Sequence, residues 1–419
     1  MAETTRIIDM PLKLPIIGVA PILAALALPA QAVDFTWSGF GTVGWAVSDK
    51  PYKYQRFIDN HGTFKRDTIL GGQLDARLSP QWSATIQAKL GPSDHSDSDW
   101  QASLAWAFVS WRPSDDWLIR AGKIRLPLML NTENNDVGAT FDFARLPQEV
   151  YSISPLTDLV GLGVSKTWFG ESMDWIAEVY AGKVETNWRY YGREMTPEQP
   201  SPGSWFYTYN IKSTGFVLMA RSLDNTFRIG AHRVEASRDG TKIGMPIVNV
   251  GGVYRFGTGG DEKVIIPLFT VGASILLPAD IKLSGEYARI KIDSSSEGLN
   301  RWGAYLSLSK RFGSWTPYVY FAKAKSSDSA LAKYQAINGN VVPAPYVASQ
   351  KFFADIIIPY DQSTVALGTT YRLTPSALLK AEWSQANTGV ASTLVDAPSG
   401  GNSSHQTINV FSLSYNFTF

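Results

Sequence analysis

Apolar and polar residues alternate along the last nine positions of the chain. Large apolar side chains occupy every second position, at Phe411, Leu413, Tyr415, Phe417 and Phe419, and small polar residues stand between them. Successive side chains of a β-strand point to opposite faces, so this pattern predicts a strand with one apolar face and one polar face. Such a strand fits a wall that separates an apolar medium from a wet one.

The same alternation recurs in segments of about ten residues along the rest of the chain. In the segment 82–90, Trp82 and Ile86 fall on one face, whereas Gln87 and Lys89 fall on the other. Tight turns such as residues 79–81 alternate with longer polar connections. This arrangement predicts an all-β fold, a transmembrane antiparallel β-barrel with apolar residues toward lipid and polar residues toward the lumen.

The segments predict about sixteen strands, an even number that places both chain ends on the side of the short turns. They begin near residues 34, 66, 81, 99, 117, 157, 173, 206, 226, 264, 280, 301, 315, 362, 377 and 404. The region 237–265 leaves an alternative open. Its apolar stretch 246–255 is either structure inside a long outer loop or, with a companion, part of an eighteen-stranded wall. Both alternatives predict a single domain, because a closed barrel cannot be divided.

The N-terminal segment predicts export. An apolar run over residues 14–28 is followed by Ala30-Gln-Ala32, a small-x-small cleavage signal. The run is short and contains two prolines, so it predicts a secretory signal peptide over residues 1–32 rather than a membrane helix. Two acids precede Met10 where a basic segment is expected, so we expect translation to start at Met10. The barrel domain is then residues 33–419.

Composition excludes several classes of protein. The chain has 419 residues, no cysteine and a formal net charge of +1. The lack of cysteine argues against a disulfide scaffold and a thiolate metal site, and the neutral charge argues against nucleic acid as a partner. Mean hydropathy is only -0.09, although aromatic residues reach 12%. A membrane barrel combines these two properties because alternation hides its apolar residues from hydropathy averages.

The C-terminal strand resembles the closing strand of Gram-negative outer-membrane proteins, whose terminal aromatic residue is read by the barrel-assembly machinery. The resemblance implies that the chain lies in the outer membrane of a Gram-negative bacterium. It also implies that Phe419 is an assembly signal, and that outer-membrane lipids and the assembly machinery are partners of the chain.

The connection between the fifth and sixth predicted strands carries a second resemblance. It is too apolar for a solvated loop and contains three motifs, Gly122-Lys-Ile-Arg125-Leu-Pro127, Asp136-Val-Gly138 and Arg145-Leu-Pro147-Gln-Glu149-Val-Tyr151. These motifs are similar to the third extracellular loop of a group of proteobacterial porins. The resemblance implies that this third loop folds into the barrel and narrows it, and that the protein is a homotrimer.

In general porins, acids on the third loop face basic residues on the wall. We therefore expect a constriction formed by the loop acids Glu133, Asp136, Asp142 and Glu149. The basic candidates on the wall are Arg77 and Lys89, which point inward by alternation, together with Arg120, Lys123 and Arg125. An alternative stays open, in which Asp142, Arg145 and Glu149 tie the loop to the wall by ion pairs.

Two other motifs are interpreted as non-functional. Asp94-His-Ser-Asp97-Ser-Asp99 has closely spaced oxygen ligands but lacks the glycine and glutamate of a calcium loop, so we expect a solvated loop tip and no metal site. The four histidines stand at no recognised spacing from a serine or an acid, so neither a catalytic site nor a cofactor is expected.

The leading hypothesis is a passive, water-filled porin for small hydrophilic solutes and ions. One alternative is a channel selective for sugars, dicarboxylates or aromatic acids, because Tyr180, Tyr305, Tyr318 and Tyr320 point inward by alternation and could form an aromatic ladder. A second alternative is a plugged structural or adhesin barrel.

Overall fold

The alternating segments pair with their neighbours in chain order, and a computed structural model of the protein shows them closed into an antiparallel barrel. The structure describes residues 33–154, 156–196, 201–292 and 297–419, so the expected signal peptide lies outside the described residues. Strand β1 completes the ring by pairing with both the second and the last strand of the wall, with Phe40 opposite Gly71 on one side and Thr418 on the other.

Sixteen strands form the wall within the described residues. They are β1 (Asp34–Ser48), β2 (Ile69–Arg77), β3 (Trp82–Pro92), β4 (Trp100–Trp111), β5 (Trp117–Arg125), β6 (Asp158–Trp168), β7 (Asp174–Gly192), β8 (Gly203–Arg221), β9 (Thr226–Ser237), β10 (Lys263–Leu277), β11 (Ile281–Ile290), β12 (Arg301–Lys310), β13 (Trp315–Ser326), β14 (Tyr360–Thr374), β15 (Ala377–Ser392) and β16 (Thr407–Thr418).

The predicted strand starts are confirmed to within a few residues. The largest differences are 66 against Ile69, 206 against Gly203 and 404 against Thr407. The open alternative for region 237–265 is also decided: Ile247–Val250 and Val253–Phe256 pair only with each other, outside the barrel. The wall therefore has sixteen strands and not eighteen.

Long connections join the strands at one end of the barrel, and we number them as outer loops. Their ranges are loop 1 (49–68), loop 2 (93–99), loop 3 (126–157), loop 4 (193–202), loop 5 (238–262), loop 6 (291–300), loop 7 (327–359) and loop 8 (393–406).

The loops contain the helices that the structure describes, except for one turn of 3-10 helix, Pro278–Asp280, at the opposite end. The α-helices are α1 (Gln148–Tyr151), α2 (Asp328–Asn338) and α3 (Ala344–Asp355), and two further 3-10 turns are Gly138–Thr140 and Glu297–Leu299. A short strand pair, Lys53–Tyr54 with Val395–Asp396, joins loops 1 and 8. The described residues include no helix of the length and hydropathy needed to cross a membrane.

The alternation separates the two faces of the wall as predicted. Leu74, Ile86 and Trp383 lie exposed on the outer face, whereas Lys380 and Glu382 are buried on the inner one. Tryptophans exposed on the outer face concentrate at the short-turn end, namely Trp82, Trp111, Trp117, Trp168, Trp175 and Trp315. An interfacial aromatic girdle around an apolar band is what a barrel needs in order to sit in a bilayer.

Candidate pore constriction

Loop 3 lies inside the barrel, as the sequence predicts. Its strongest attachment is Lys380 on β15, whose ammonium donates hydrogen bonds to the carbonyl oxygens of Gly138, Phe141 and Phe143 at 2.6, 2.7 and 2.7 Å. Lys380 is only 2% exposed. A buried charge is tolerated when its donors are satisfied, and here the loop backbone satisfies all three.

A second attachment lies on the neighbouring wall. The Glu286 carboxylate on β11 accepts hydrogen bonds from the Leu130 backbone N–H at 2.7 Å and from the Tyr151 hydroxyl at 2.6 Å. Arg228 on β9 donates to the Met129 carbonyl oxygen. Residues 129–130 and Tyr151 of loop 3 are therefore fixed to the wall by the inward-pointing charged side chains of Glu286 and Arg228.

Tyr305, Tyr318 and Tyr320 are covered by the loop instead of forming an open ladder, and the fourth inward tyrosine, Tyr180, forms a hydrogen bond with His232. Phe143 packs edge-on against Tyr305, Tyr318 and Tyr320, with ring centroids 6.0, 5.4 and 5.4 Å away. The Tyr318 hydroxyl also accepts a hydrogen bond from the Ala144 N–H at 2.9 Å. The covered tyrosines form a surface on which loop 3 is seated.

The other edge of the loop contacts β3 through an ion pair. Asp136 is within 2.7 Å of the Lys89 ammonium and also contacts Arg125. A cavity of about 650 Å³ opens beside this cluster, between loop 3, loop 1 and the wall. Its described lining contains the basic residues Arg56, Arg66, Lys89, Arg145 and Arg189 and the acids Asp67 and Asp136.

Glu133 lies between two arginines of the wall. Its carboxylate is 3.6 Å from Arg120 and 3.8 Å from Arg228, and Arg120 also pairs with Glu178 at 2.8 Å. Lys123 pairs with Asp158 at 3.2 Å. Glu133 and Asp136 therefore come together with Lys89, Arg120 and Arg125.

The remaining candidates lie elsewhere. The Asp142 carboxylate accepts a hydrogen bond from Ser309 at 3.2 Å, and Glu149 is buried against β14, where Gln362 donates to it at 2.7 Å. Burial raises the pKa of Glu149, although hydrogen bonds from Thr364 and Gln362 oppose the shift. Arg77 stands exposed near the short-turn end and forms no ion pair with a described residue.

Arg145 pairs with Asp67 of loop 1 at 2.7 Å. It is the third residue, after Asp142 and Glu149, in the alternative in which ion pairs attach loop 3 to the wall. Asp142, Arg145 and Glu149 each contact a residue outside loop 3, but only Arg145 does so through an ion pair. The other two use hydrogen bonds to neutral side chains.

The outer loops are tied together above this region. The Arg189 guanidinium at the outer end of β7 bridges Asp97 of loop 2 at 2.8 Å and Asp396 of loop 8 at 2.6 Å. Arg56 of loop 1 also contacts Asp97. Burial alone would raise the pKa of Asp97, but hydrogen bonds and charge from Arg189 outweigh it and lower the pKa to about 2. Asp97 is therefore an ion-pair partner and not the solvated tip that its sequence suggests.

Loops 4, 7 and 8 meet at a buried arginine. Arg193 is 3.2 Å from Asp355 of α3 and donates to the Gly401 carbonyl oxygen at 3.2 Å. Burial raises the pKa of Asp355 to about 6, and Arg193 opposes that shift.

Helix α2 begins at an N-cap, because the Ser327 hydroxyl accepts a hydrogen bond from the Ala330 N–H.

Sequence reasoning found some of these residues and missed others. Lys380, Glu286 and Arg228 are placed inward by alternation, but alternation carries no information on which loop they contact. Sequence patterns do not identify Arg189 or Arg193, because their partners Asp396 and Asp355 lie more than 150 residues away in the chain. Helix α2 has a local signal, the N-cap residue Ser327, which the search for strand alternation does not detect.

Comparison with known proteins bears on the fold. No family model matches the chain, and no curated protein matches it. Among solved structures, outer-membrane expressed OmpT of Vibrio cholerae is 11% identical with a TM-score of 0.52, over 94% of this chain and 99% of that one. The anion-selective porin from Comamonas acidovorans is 12% identical with a TM-score of 0.52, over 92% and 100%.

The outer membrane channel DcaP of Acinetobacter baumannii is 10% identical with a TM-score of 0.51, over 93% of this chain and 99% of that one. At such low identity these likenesses show the fold alone, a closed sixteen-stranded barrel of the porin type. The barrel and these neighbours point to the outer membrane of a Gram-negative bacterium.

Proposed function

We propose that the protein is a passive outer-membrane channel for small hydrophilic solutes and ions. The observation that carries the proposal is the polar cavity of about 650 Å³ between loop 3, loop 1 and the wall, beside the ion pair of Asp136 with Lys89. A diffusion pore needs polar walls and contacts weak enough to release the solute. The residues that line this cavity carry both signs of charge, which favours weak discrimination over tight binding.

The proposed eyelet consists of Glu133 and Asp136 on loop 3 with Lys89, Arg120 and Arg125 on the wall. Charges of opposite sign on facing sides create a transverse field, and a narrow, partly dehydrated passage screens that field less than open water does. Asp142, Glu149, Arg77 and Lys123 remain proposed members of the lumen lining. The tie of Glu149 to β14 favours a role in holding the loop.

Planar-bilayer recording of the folded barrel tests the proposal. An ohmic conductance that added sugars, dicarboxylates or aromatic acids leave unchanged supports the passive pore. Concentration-dependent block by one solute class supports the selective channel instead. No conductance at all supports a plugged barrel. The ion pairs of Arg189 with Asp97 and Asp396, which join the outer loops, are consistent with that alternative. Liposome swelling with solutes of increasing size gives an independent measure of the passage.

We also propose a homotrimer, the assembly that the porin resemblance implies. Light scattering of the detergent-solubilised protein measures the number of chains in each particle. A monomeric particle that conducts normally would remove the trimer from the proposal and leave the pore intact.

A further inference from the structure

A second cavity lies above the barrel, away from the constriction. Strands β7 and β8 have 19 residues each and continue as a two-stranded ribbon, in which Trp188 pairs with Tyr207 and Tyr190 with Trp205. Loops 5 and 7 fold against this ribbon and enclose a cavity of about 330 Å³. That volume falls within the range of small-molecule sites.

The walls of this cavity are aromatic. Trp188 stacks on Tyr209 with ring centroids 4.2 Å apart, and Trp205 stacks on Tyr190 and on Phe352, at 5.8 Å in each case. The hydroxyls of Tyr190 and Tyr209 are 2.6 Å apart and bond to each other. The walls therefore offer flat apolar faces, and two of their few polar groups are already paired.

The charged residues of the lining all carry the same sign. The Arg238 guanidinium lies over the Tyr207 ring, 3.9 Å from its centroid, and pairs with no carboxylate of the described residues. Lys242 and Lys333 also line the cavity. No Asp, Glu, Asn or Gln occurs among its described lining residues.

We propose that this cavity binds a planar aromatic carboxylate. An aromatic ring can pack on the cavity-facing sides of these aromatic residues, and a carboxylate fits a rim with arginine and lysine but no acid. A sugar also stacks on aromatic rings, but it brings many hydroxyl donors that need acceptors. The lining lacks the carboxylates and amides that would accept from those hydroxyls. The lining thus discriminates between the two ligand classes.

A further cavity adjoins this one on the side of loop 3. This neighbouring cavity, of about 290 Å³, shares Trp188, Tyr190, Ile266, Leu299 and Ile358 with it. Its far side is formed by Ser152 and Ser154 of loop 3 and by Arg301. Arg301 lies over the Tyr360 ring at 3.5 Å and donates to the Ser152 carbonyl oxygen. A bound aromatic acid would thus be separated from loop 3 by the neighbouring cavity. Binding does not depend on conduction, but a role in solute uptake rests on the proposed channel.

Ligand-observed saturation-transfer NMR on the folded barrel in detergent tests the binding. The probes are benzoate, benzyl alcohol, which lacks the charge, and maltotriose, a neutral sugar. Arg238→Gln removes one of the three positive charges of the lining, whereas Thr241→Trp places a ring inside the cavity from its exposed edge. Arg255→Gln is the matched control, since Arg255 is exposed on the same loop and does not line the cavity.

We expect saturable benzoate binding by the wild type. The affinity should be about tenfold lower in R238Q, because one charge-assisted contact is lost, and unchanged in R255Q. T241W should abolish it. Binding of maltotriose in preference to benzoate overturns the proposal, as does equal binding of benzoate to wild type, R238Q and T241W, which would indicate the micelle. Absence of benzoate binding overturns it too. Conductance measured on the same preparations reports separately on the channel.

Discussion

The charged attachment of loop 3 gives a quantitative prediction for Lys380→Met. Methionine keeps the length of the side chain but removes three hydrogen bonds, to the carbonyl oxygens of Gly138, Phe141 and Phe143. A bond to a charged group contributes about 1.5–3 kcal/mol when nothing replaces it. Because lumen water can hydrate the freed carbonyls, we take about 1 kcal/mol for each bond and about 3 kcal/mol in total. The equilibrium for release of the loop then shifts about 100-fold.

Single-channel recording detects this release as frequent current steps and a larger mean conductance, since a displaced loop widens the lumen. Lys282→Met is the control: it removes the same charge from the inner face of β11, where Lys282 is exposed and forms no hydrogen bond or ion pair with a described residue. Heat-dependent migration on gels shows whether both variants are folded. Indistinguishable traces from folded K380M and K282M would refute the idea that these bonds hold the loop.

Three further predictions concern the constriction, the outer loops and the end of the chain. Neutralising Glu133 and Asp136 together should raise the anion-to-cation permeability ratio by about fourfold per charge, because a charge acting at about 10 Å in water changes the local concentrations of anions and cations about twofold in opposite directions. The shift in reversal potential should shrink at molar salt. An unchanged reversal potential would place the eyelet elsewhere. The pKa of Asp97 is lowered in the folded protein, so its ion pairs stabilise the outer loops above about pH 4, and that stabilisation is lost as the pH falls through about 2. Pepsin should therefore cut the loops faster at about pH 2 than at about pH 3.5, and equal acceleration in Asp97→Asn would contradict this. Deletion of Phe419, whose backbone exchanges hydrogen bonds of 2.9 and 3.0 Å with Gly39, should lower the yield of folded barrel but not the conductance of the pores that form, and a normal yield would remove the proposed assembly role.

Strand positions could be predicted because the cause is local. Every wall strand must present an apolar side chain to lipid at each second position, so period-2 alternation marks both its extent and its inward face. The segment 246–255 shows the limit of that signal. It has the composition of a wall strand, yet Ile247–Val250 and Val253–Phe256 form a hairpin in loop 5. Pairing partners decide this outcome, and a strand's own composition does not specify them.

Contacts between distant loops could not be predicted, because each depends on the closed barrel. Arg189 pairs with Asp97 and Asp396, residues 92 and 207 positions away. The motif resemblance in loop 3 predicts a segment that folds inward, which residue spacing alone does not. It did not separate Asp136, which meets Lys89, from Glu149, which meets only neutral side chains of β14.

Exposure divides six of the inward charges into two groups with different expected roles, whereas Arg125 pairs with Asp136 but is only 3% exposed. Lys380, Glu286 and Glu382 are 2, 5 and 1% exposed, and they bond to loop backbone or to tyrosine hydroxyls. The side chains of Asp136, Lys89 and Glu133 are 13, 28 and 35% exposed, and they pair with charges. A solute passing beside loop 3 can interact only with the second group, because the first is covered by the loop. Substitutions in the first group should therefore change how often the loop moves, whereas substitutions in the second should change which ions pass.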